Sequence, residues 1–395
     1  MKSAVVRCVC CISLSVSPLI HSADANLQNY LISACQNAQG ALEQRCQETD
    51  QGLGNVSGDS ESSLNPTQTL AAGELEWRQS LSDDDASQSS IDLGGWALSI
   101  QGYTGGLERE PSDGSTSRSY DVDLSGVSLW ASRTLGSAGV VQVGVEKTRR
   151  EGVFGAEEAG RNFEPAVNAG DLEYESLGFS LLYSHTVTDN WTVDVGLGRL
   201  SQNISLSRRS VFQESNRVIG QVNSFTVGDF EADVDWWGFS TAYEFRFGGF
   251  KFIPEASWTA RSKTVEAYTE RDVSGTGLNM RFSKTSLDSD LTSLGLSGIW
   301  TLNRDSGVYS PYIRMMKISE SFSSKAPVRA QFELTSGSDT LLIEKDQMGK
   351  DMTKLALGVS AVHPMGWSWF ADYAEILNNS HMSGWQFSAG LRKEL

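Results

Sequence analysis

Apolar residues alternate with small or polar residues over most of the chain from Gly94 to Leu395. Successive side chains of a β-strand point to opposite faces, so this period of two is typical of strands with one apolar face. In the clearest segment the apolar parity is Trp237, Phe239, Thr241, Tyr243, Phe245 and Phe247, set against Gly238, Ser240, Ala242, Glu244 and Arg246. The pattern predicts an all-β fold with about twelve strands, an even number as in bacterial barrels.

The connections between these strands alternate between long polar stretches and tight turns. Transmembrane barrels have short periplasmic turns and longer external loops, whereas a soluble sandwich has no reason to keep this alternation. The long connections lie around residues 109–118, 149–170, 208–223, 270–284 and 321–339, and the tight ones at 135–138, 186–190, 248–249, 303–306 and 364–366. The connection at 378–381 is an exception, because it is short although external. We expect residues 93–395 to form one antiparallel transmembrane β-barrel.

Composition supports a membrane barrel and argues against a nucleic-acid partner. The chain has 38 Gly, and its mean hydropathy is -0.27, an average that lipid-facing aromatic residues alternating with small polar ones would give. The formal net charge of -17 would repel phosphates. Aromatic residues gather near the tight turns, where an interfacial girdle would lie. They are Trp191, Phe247, Phe250, Trp300, Trp367 and Trp369.

The first 25 residues have the features of a secretory signal peptide. Lys2 and Arg7 precede an apolar stretch, and Ala25 ends a small-residue cleavage pattern. The stretch is shorter than the roughly 20 residues that span a bilayer. Beyond it the sequence has no apolar run long enough for a transmembrane helix. We expect an exported protein whose signal peptide is cleaved.

Cys35 and Cys46 are the two cysteines that remain after cleavage. An even number of cysteines in an exported protein suggests a disulfide bond. On one unbroken helix they would lie about 16 Å apart, beyond bridging distance, so a bond requires a turn, which residues 37–40 can supply. We expect residues 26–50 to form a small helical hairpin closed by this disulfide in the periplasm, with two free thiols as the alternative.

A polar segment separates the hairpin from the barrel. Residues 51–92 are rich in Ser, Asp, Asn and Gly, which is typical of a linker, and residues 67–80 within it can form a short helix. The predicted organisation is a signal peptide at 1–25, a hairpin at 26–50, a linker with a candidate pore helix at 51–92 and a barrel at 93–395.

The polar parity of the strands carries charged side chains that would point into the barrel. Charges inside a barrel need partners or water. Two interpretations stay open: an ion-pair network around an inserted N-terminal segment, or a solute path lined by the charges. The expected lumen-facing residues are Glu146, Asp194, Glu244, Arg246, Glu255, Arg314, Lys354, Asp372 and Arg392.

The sequence offers little for catalysis or for a cofactor. His381 and Ser383 share one strand face and are weakly similar to a membrane phospholipase site, while His185 and His363 fit interfacial positions. The three aspartates at 83–85 lack the remaining oxygen-ligand spacing of a calcium loop. No phosphate loop, triad or metal-ligand spacing is present in the sequence. We therefore expect no catalytic residues, cofactor or metal.

With its strand count and the helix candidate at 67–80, the segment from Thr67 to Leu395 resembles the translocator barrel of autotransporters. Short sequence segments such as Asp189-Asn190-Trp191 and Gly390-Leu391 add to the resemblance. It implies a twelve-stranded barrel with an N-terminal helix in the pore, inserted by the barrel assembly machinery. Two features depart from the family: the chain ends in Leu395 rather than an aromatic residue, with Lys393 on the apolar parity, and only residues 26–93 precede the barrel as cargo.

The sequence thus predicts a non-enzymatic outer-membrane barrel, related to autotransporters without a large passenger, and plugged or translocator-like. A narrow solute channel or porin is the alternative, and an outer-membrane hydrolase using His381 is a distant third hypothesis. Outer-membrane lipid and the barrel assembly machinery are the expected partners, and nucleic acid is not one.

Overall fold

Twelve long antiparallel strands dominate the computed structural model of the protein. The structure describes residues 30, 33–48, 56–57, 96–109, 119–136, 138–155, 170–213, 221–322, 327–343, 351–364, 366–379 and 382–394. The predicted signal peptide and most of the predicted linker lie outside these residues. The strands are β1 Trp96–Arg109, β2 Tyr120–Leu135, β3 Gly139–Phe154, β4 Gly170–Thr188, β5 Trp191–Gln213, β6 Gln221–Tyr243, β7 Phe250–Val265, β8 Thr285–Trp300, β9 Gly307–Phe322, β10 Asp351–His363, β11 Trp367–Leu377 and β12 Met382–Glu394. The predicted all-β fold is confirmed.

Alternation along each strand separates a lipid-facing surface from the barrel interior. In β8 the outward side chain of Leu294 is 63% exposed, while that of its neighbour Ser293 is 2% exposed. Leu98, Phe179 and Phe387 belong to the same outward band on other strands. In a bilayer, these apolar side chains are removed from water, which stabilises the barrel by about 25 cal/mol per Å² of apolar surface.

The first and last strands of the barrel pair with each other. The β12–β1 register runs from Met382 opposite Arg109 to Glu394 opposite Ala97. The other neighbouring strands, from β1 to β12, also pair in antiparallel fashion. Lipid offers the backbone no hydrogen-bond partners, so a strand edge facing lipid would be costly. Closure removes this cost and gives a complete transmembrane wall.

Tight turns join the strands at one end of the barrel. Gly248 and Gly249 form a two-residue turn between Phe247 and Phe250, which lie opposite each other. Gly248 has a φ of 64°, a left-handed conformation that glycine adopts without strain. Because short turns are typical of the periplasmic end, the opposite end, with the long loops, is external.

Two of the long external connections fold into a second, smaller sheet, called the loop sheet below. The connection between β7 and β8 contributes Tyr268–Thr269 and Met280–Phe282, and that between β9 and β10 contributes Val328–Phe332 and Leu341–Ile343. They pair antiparallel in this order. The sequence pattern predicted polar loops here. Strands this short carry too few alternating positions to be distinguished from loop sequence.

The N-terminal hairpin contains the predicted disulfide bond. Helix α1 spans Gly40–Glu48, and Cys46 within it is bonded to Cys35, with 5.5 Å between the two Cα atoms. Gly40 has a φ of 59°, so the chain reverses at residues 37–40, where the bond requires a turn. No helix in the described part of the chain is long and apolar enough to cross a bilayer.

The hairpin docks on the loop sheet. The backbone N–H of Gln39 donates to the carbonyl oxygen of Leu334 at 2.9 Å, and the N–H of Phe332 donates to the Tyr30 hydroxyl at 2.7 Å. The hairpin therefore lies at the external end, and the periplasmic position predicted from the sequence is wrong. The physical reason is that the apolar face of the hairpin finds its partner surface on the loop sheet.

Hairpin, loop sheet and inner wall share one hydrophobic core, which lies in the external half of the barrel. Its wall residues come from β1 to β10 and from β12. The hairpin and the loop sheet together are called the external cap below. Core members include Tyr30, Ala34 and Leu42 of the hairpin, Tyr268, Met280, Phe282, Val328, Phe332, Leu341 and Ile343 of the loop sheet, and Leu107, Tyr120, Phe154, Tyr174, Ile204, Phe230, Leu291, Ile318 and Met352 of the wall.

Replacing both cysteines, Cys35→Ser with Cys46→Ser, is expected to loosen the hairpin and to leave the barrel intact. A disulfide that closes a loop of this length stabilises the folded segment by about 3 kcal/mol. Amide hydrogen exchange in residues 33–48 should therefore accelerate by about a hundredfold, while exchange in the barrel strands stays the same. Reduction of the unmodified protein serves as the control and should reproduce the effect. Unchanged exchange in the double variant would contradict it.

Docking of the hairpin is expected to weaken at alkaline pH. Burial raises the pKa of the Tyr30 hydroxyl to about 12, because the phenolate loses its hydration there. The hydroxyl of an undocked tyrosine has a pKa near 10. The docked hairpin therefore keeps its full stability below about pH 10 and loses stability as the pH rises towards 12. The absorbance at 295 nm should show a late-ionising tyrosine that is missing in Tyr30→Phe. Identical titration curves for the two proteins would refute the assignment.

Candidate functional site in the barrel lumen

A half-buried ion pair lies on the inner wall of the periplasmic half of the barrel. Glu255 of β7 accepts two hydrogen bonds from Arg314 of β9, from Nε at 2.7 Å and from Nη2 at 2.6 Å. Strand β8 lies between β7 and β9, and its residue Gly295 is directly opposite Glu255. A Cβ added there would lie 2.6 Å from the Glu255 carboxylate. The glycine leaves the space in which the two long side chains meet, and the bidentate geometry strengthens the contact.

Three other predicted carboxylates of the lumen accept hydrogen bonds from hydroxyl groups one or two strands away. Asp194 of β5 lies between Ser184 of β4, at 2.6 Å, and Ser240 of β6, at 2.7 Å. Hydroxyl donors offset part of the cost of taking a carboxylate out of water. Two tyrosines act in the same way, Tyr103 on Glu146 at 2.8 Å and Tyr312 on Asp372 at 3.1 Å.

The remaining predicted lumen charges lie at separate points of the wall. Glu244 lies at the periplasmic rim, where it pairs with Arg246 and, at 3.0 Å, with Lys251. Lys354 donates to the Gln386 side chain at 3.5 Å. Arg392 lines a cavity of about 70 Å³ together with Trp130, Gln142, Ser360 and Phe370. Of the nine predicted residues, the structure thus brings together Glu255 with Arg314 and Glu244 with Arg246.

Basic residues that sequence reasoning missed are buried in the external half of the barrel. The Nη1 atom of Arg261 is 3.9 Å from Oε1 of Glu320, and the Nζ atom of Lys263 is 5.6 Å from the centre of the Tyr174 ring. Arg150 is buried as well. The signal was present in the sequence, since Arg261 and Lys263 share the inward parity of Glu255 further along the same strand.

One buried ion pair ties the loop sheet to the barrel wall. Arg208 of β5 donates to both carboxylate oxygens of Glu270, at 3.1 and 2.6 Å, and to the carbonyl of Leu278 at 2.8 Å. Glu270 also accepts the backbone N–H of Met280 at 2.9 Å. A buried pair is favourable when its remaining donors and acceptors are satisfied in this way. The pair fixes the connection between β7 and β8 across the barrel mouth.

Aromatic side chains stack beside this ion pair. The Tyr268 ring lies between Phe230 of β6, at 4.2 Å, and Phe282 of the loop sheet, at 4.6 Å, measured between ring centres. Burial raises the pKa of the Tyr268 hydroxyl well above its ordinary value, so this group stays neutral. The described side chains at the external mouth thus form an apolar and aromatic core.

The two histidines in the described part of the chain lie at the periplasmic end of the barrel. His363 at the periplasmic rim lies between the carbonyl oxygen of Ser306, at 2.8 Å, and the indole N–H of Trp369, at 3.0 Å. His185 contacts the Tyr183 hydroxyl. Within the described ranges, no three His, Cys, Asp or Glu side chains are placed to hold a metal ion. His381 and the aspartates at 83–85 lie outside the described residues.

Comparisons with known proteins agree with this architecture. The chain is similar to the translocator domain of the autotransporter NalP from Neisseria meningitidis, with a TM-score of 0.59 and 11% identity over 83% of this chain and 98% of that one. It is also similar to the β domain of the Bordetella autotransporter Brka, with a TM-score of 0.50 and 15% identity over 76% of this chain and all of that one. Identities this low show a shared fold alone. No curated protein matches the sequence.

The sequence itself matches a family model. The autotransporter β-domain model covers residues 100–374, which is more than half of the chain. This range runs from β1 into β11 and so includes almost the whole closed wall. The chain therefore belongs to the autotransporter β-domain family and is a β-barrel of the outer membrane.

Proposed function

We propose that this barrel displays its own N-terminal hairpin at the cell surface and is otherwise closed to solutes. The observation that carries the proposal is the position of two points in the chain. The hairpin, which ends at Glu48, lies at the external end, whereas Trp96, the first residue of β1, lies at the periplasmic end beside the tight turns. The polypeptide between them has to connect the two ends.

The lumen is the favourable route for that connection. Lipid outside the wall cannot solvate a polar backbone, while the inner wall carries polar and charged groups. Residues 58–95, which follow the short strand Val56–Ser57 paired with the external end of β5, contain eight acidic residues and one basic residue. This charge complements the buried Arg150, Arg261 and Lys263 of the inner wall. A chain that passes here would leave the hairpin outside, as a small passenger that stays attached.

The external core favours a closed barrel rather than a narrow solute channel. A charged lumen alone would suit a solute path, and the periplasmic half has such a lining. In the external half, however, Tyr268, Phe282 and their neighbours bring apolar groups into the mouth. Ions and water avoid an apolar constriction. The proposed role is therefore display, without enzyme activity, after insertion into lipid by the barrel assembly machinery.

Display is tested by the accessibility of a short epitope tag in intact cells. A tag inserted after Gln44, which is exposed on α1, should bind antibody without permeabilisation. The matched control carries the same tag in the tight turn between Asp305 and Ser306, and it should be detected only after the outer membrane is permeabilised. Heat-modifiable gel mobility shows that both proteins are folded. A hairpin tag that is hidden in intact cells would overturn the proposal.

Closure is tested by conductance in planar bilayers. The unmodified protein should be nearly silent, and deletion of residues 26–92 should open the lumen. Leu42→Glu, which places a charge at a fully buried core position, should give intermediate openings, because the cap is held by apolar contacts. Glu43→Gln, on the exposed face of the same helix, is the control and should stay silent. Steady conductance by the unmodified protein would favour the channel instead.

A further inference from the structure

Lys393 interrupts the apolar parity of β12, and the strand register shows where its side chain lies. It is paired with Trp367 of β11 on one side and with Leu98 of β1 on the other. Both neighbours face outward, with 47% and 50% of their surface exposed. Lys393 therefore lies on the lipid-facing surface of the barrel. Its Nζ atom is 5.3 Å from the centre of the Trp367 ring, a cation–π contact.

A second cation–π pair lies beside the first. Arg133 of β2 is directly opposite Trp96 of β1, and its Cζ atom is 5.5 Å from the centre of that ring. Trp96 is also outward, with 47% exposure. The two pairs occupy four consecutive strands, β11, β12, β1 and β2, across the seam where the barrel closes. From strand spacing and rise, the Cα atoms of Lys393 and Arg133 are about 12 Å apart, so their long side chains can reach one common ligand.

Both pairs lie near the periplasmic rim of the barrel, where the lipid headgroups of the inner leaflet are expected. Arg133 is near the end of β2 and Lys393 near the end of β12, next to periplasmic turns. Tryptophan favours this interfacial level, and basic side chains extend along the apolar surface to reach phosphate groups. Elsewhere on the same rim the outward positions carry uncharged aromatic residues, as at Tyr183, Trp191 and Trp300. The seam thus presents positive charge on a protein whose net charge is -17.

We propose that the seam formed by Trp367, Lys393, Trp96 and Arg133 binds the headgroup of an anionic phospholipid of the inner leaflet. The headgroup phosphate lies between the ammonium and guanidinium groups, and an acyl chain runs along Leu98 towards the bilayer centre. Contact with a ring limits the rotamers of each long side chain, so the two charges are positioned before the lipid binds. The inference depends on the membrane barrel and not on the display of the hairpin.

Native mass spectrometry of the folded protein in detergent tests this assignment with added phosphatidylglycerol or phosphatidylethanolamine. The unmodified protein should retain phosphatidylglycerol preferentially. Arg133→Gln with Lys393→Gln should weaken that binding by about tenfold or more, since each basic group near a headgroup contributes about a factor of five. Binding of phosphatidylethanolamine should be unchanged. Inorganic phosphate at millimolar concentration should not displace the lipid, because it lacks the acyl chains.

Two control variants separate a specific site from general charge. Arg304→Gln removes an exposed cation at the same end, in the tight turn between β8 and β9, and should bind like the unmodified protein. Arg133→Lys with Lys393→Arg keeps both charges and should retain the preference. Heat-modifiable mobility confirms folding of each variant. The proposal is overturned if the double Gln variant binds phosphatidylglycerol normally, if Arg304→Gln loses as much affinity, or if phosphate alone competes.

Discussion

Hydrocarbon cannot hydrogen-bond to a polypeptide backbone, and the rest of this structure depends on that constraint. A sheet that crosses a bilayer has to close on itself, and here the pairing of β12 with β1 completes the ring. Closure fixes which parity faces lipid and which faces inward. The inward parity has no lipid to satisfy, so charged groups such as Glu255 and Arg314 can remain there, provided that they pair.

The polarity of the two faces inverts where the strands leave the bilayer. A transmembrane strand needs only about ten residues, whereas β5 and β6 have 23 each. In the periplasmic part of β5, Leu197 faces lipid and Asp194 faces the lumen. Further along the same strand, Ser201 is exposed on the outside and Ile204 is buried within. Outside the membrane, water replaces lipid and the apolar side chains belong inside, so the external half folds like a soluble protein around its own core.

This inversion explains how much of the molecule was predictable from its sequence. Period-two alternation predicted the strands, because lipid selects one parity along every one of them. The same parity identified Glu255, whereas Arg261 and Lys263 lie further along β7, beyond the roughly ten residues that a membrane-spanning strand needs. The loop sheet escaped detection because its strands are too short to show a period. The end of the barrel at which the hairpin lies depends on its fit to Phe332 and Leu334, far away in the chain, and no local pattern carries that information.

The contact between Tyr30 and Phe332 joins positions that are 302 residues apart. Contacts of such long range form late, because the intervening chain has to be ordered first. Until the hairpin arrives, apolar residues of the mouth that it will cover remain in contact with water. Burial of these residues lowers the free energy, and it is possible only at the external end. If the hairpin reaches the cell surface as proposed, its docking holds it there, and the free energy for this step comes from burial of apolar surface.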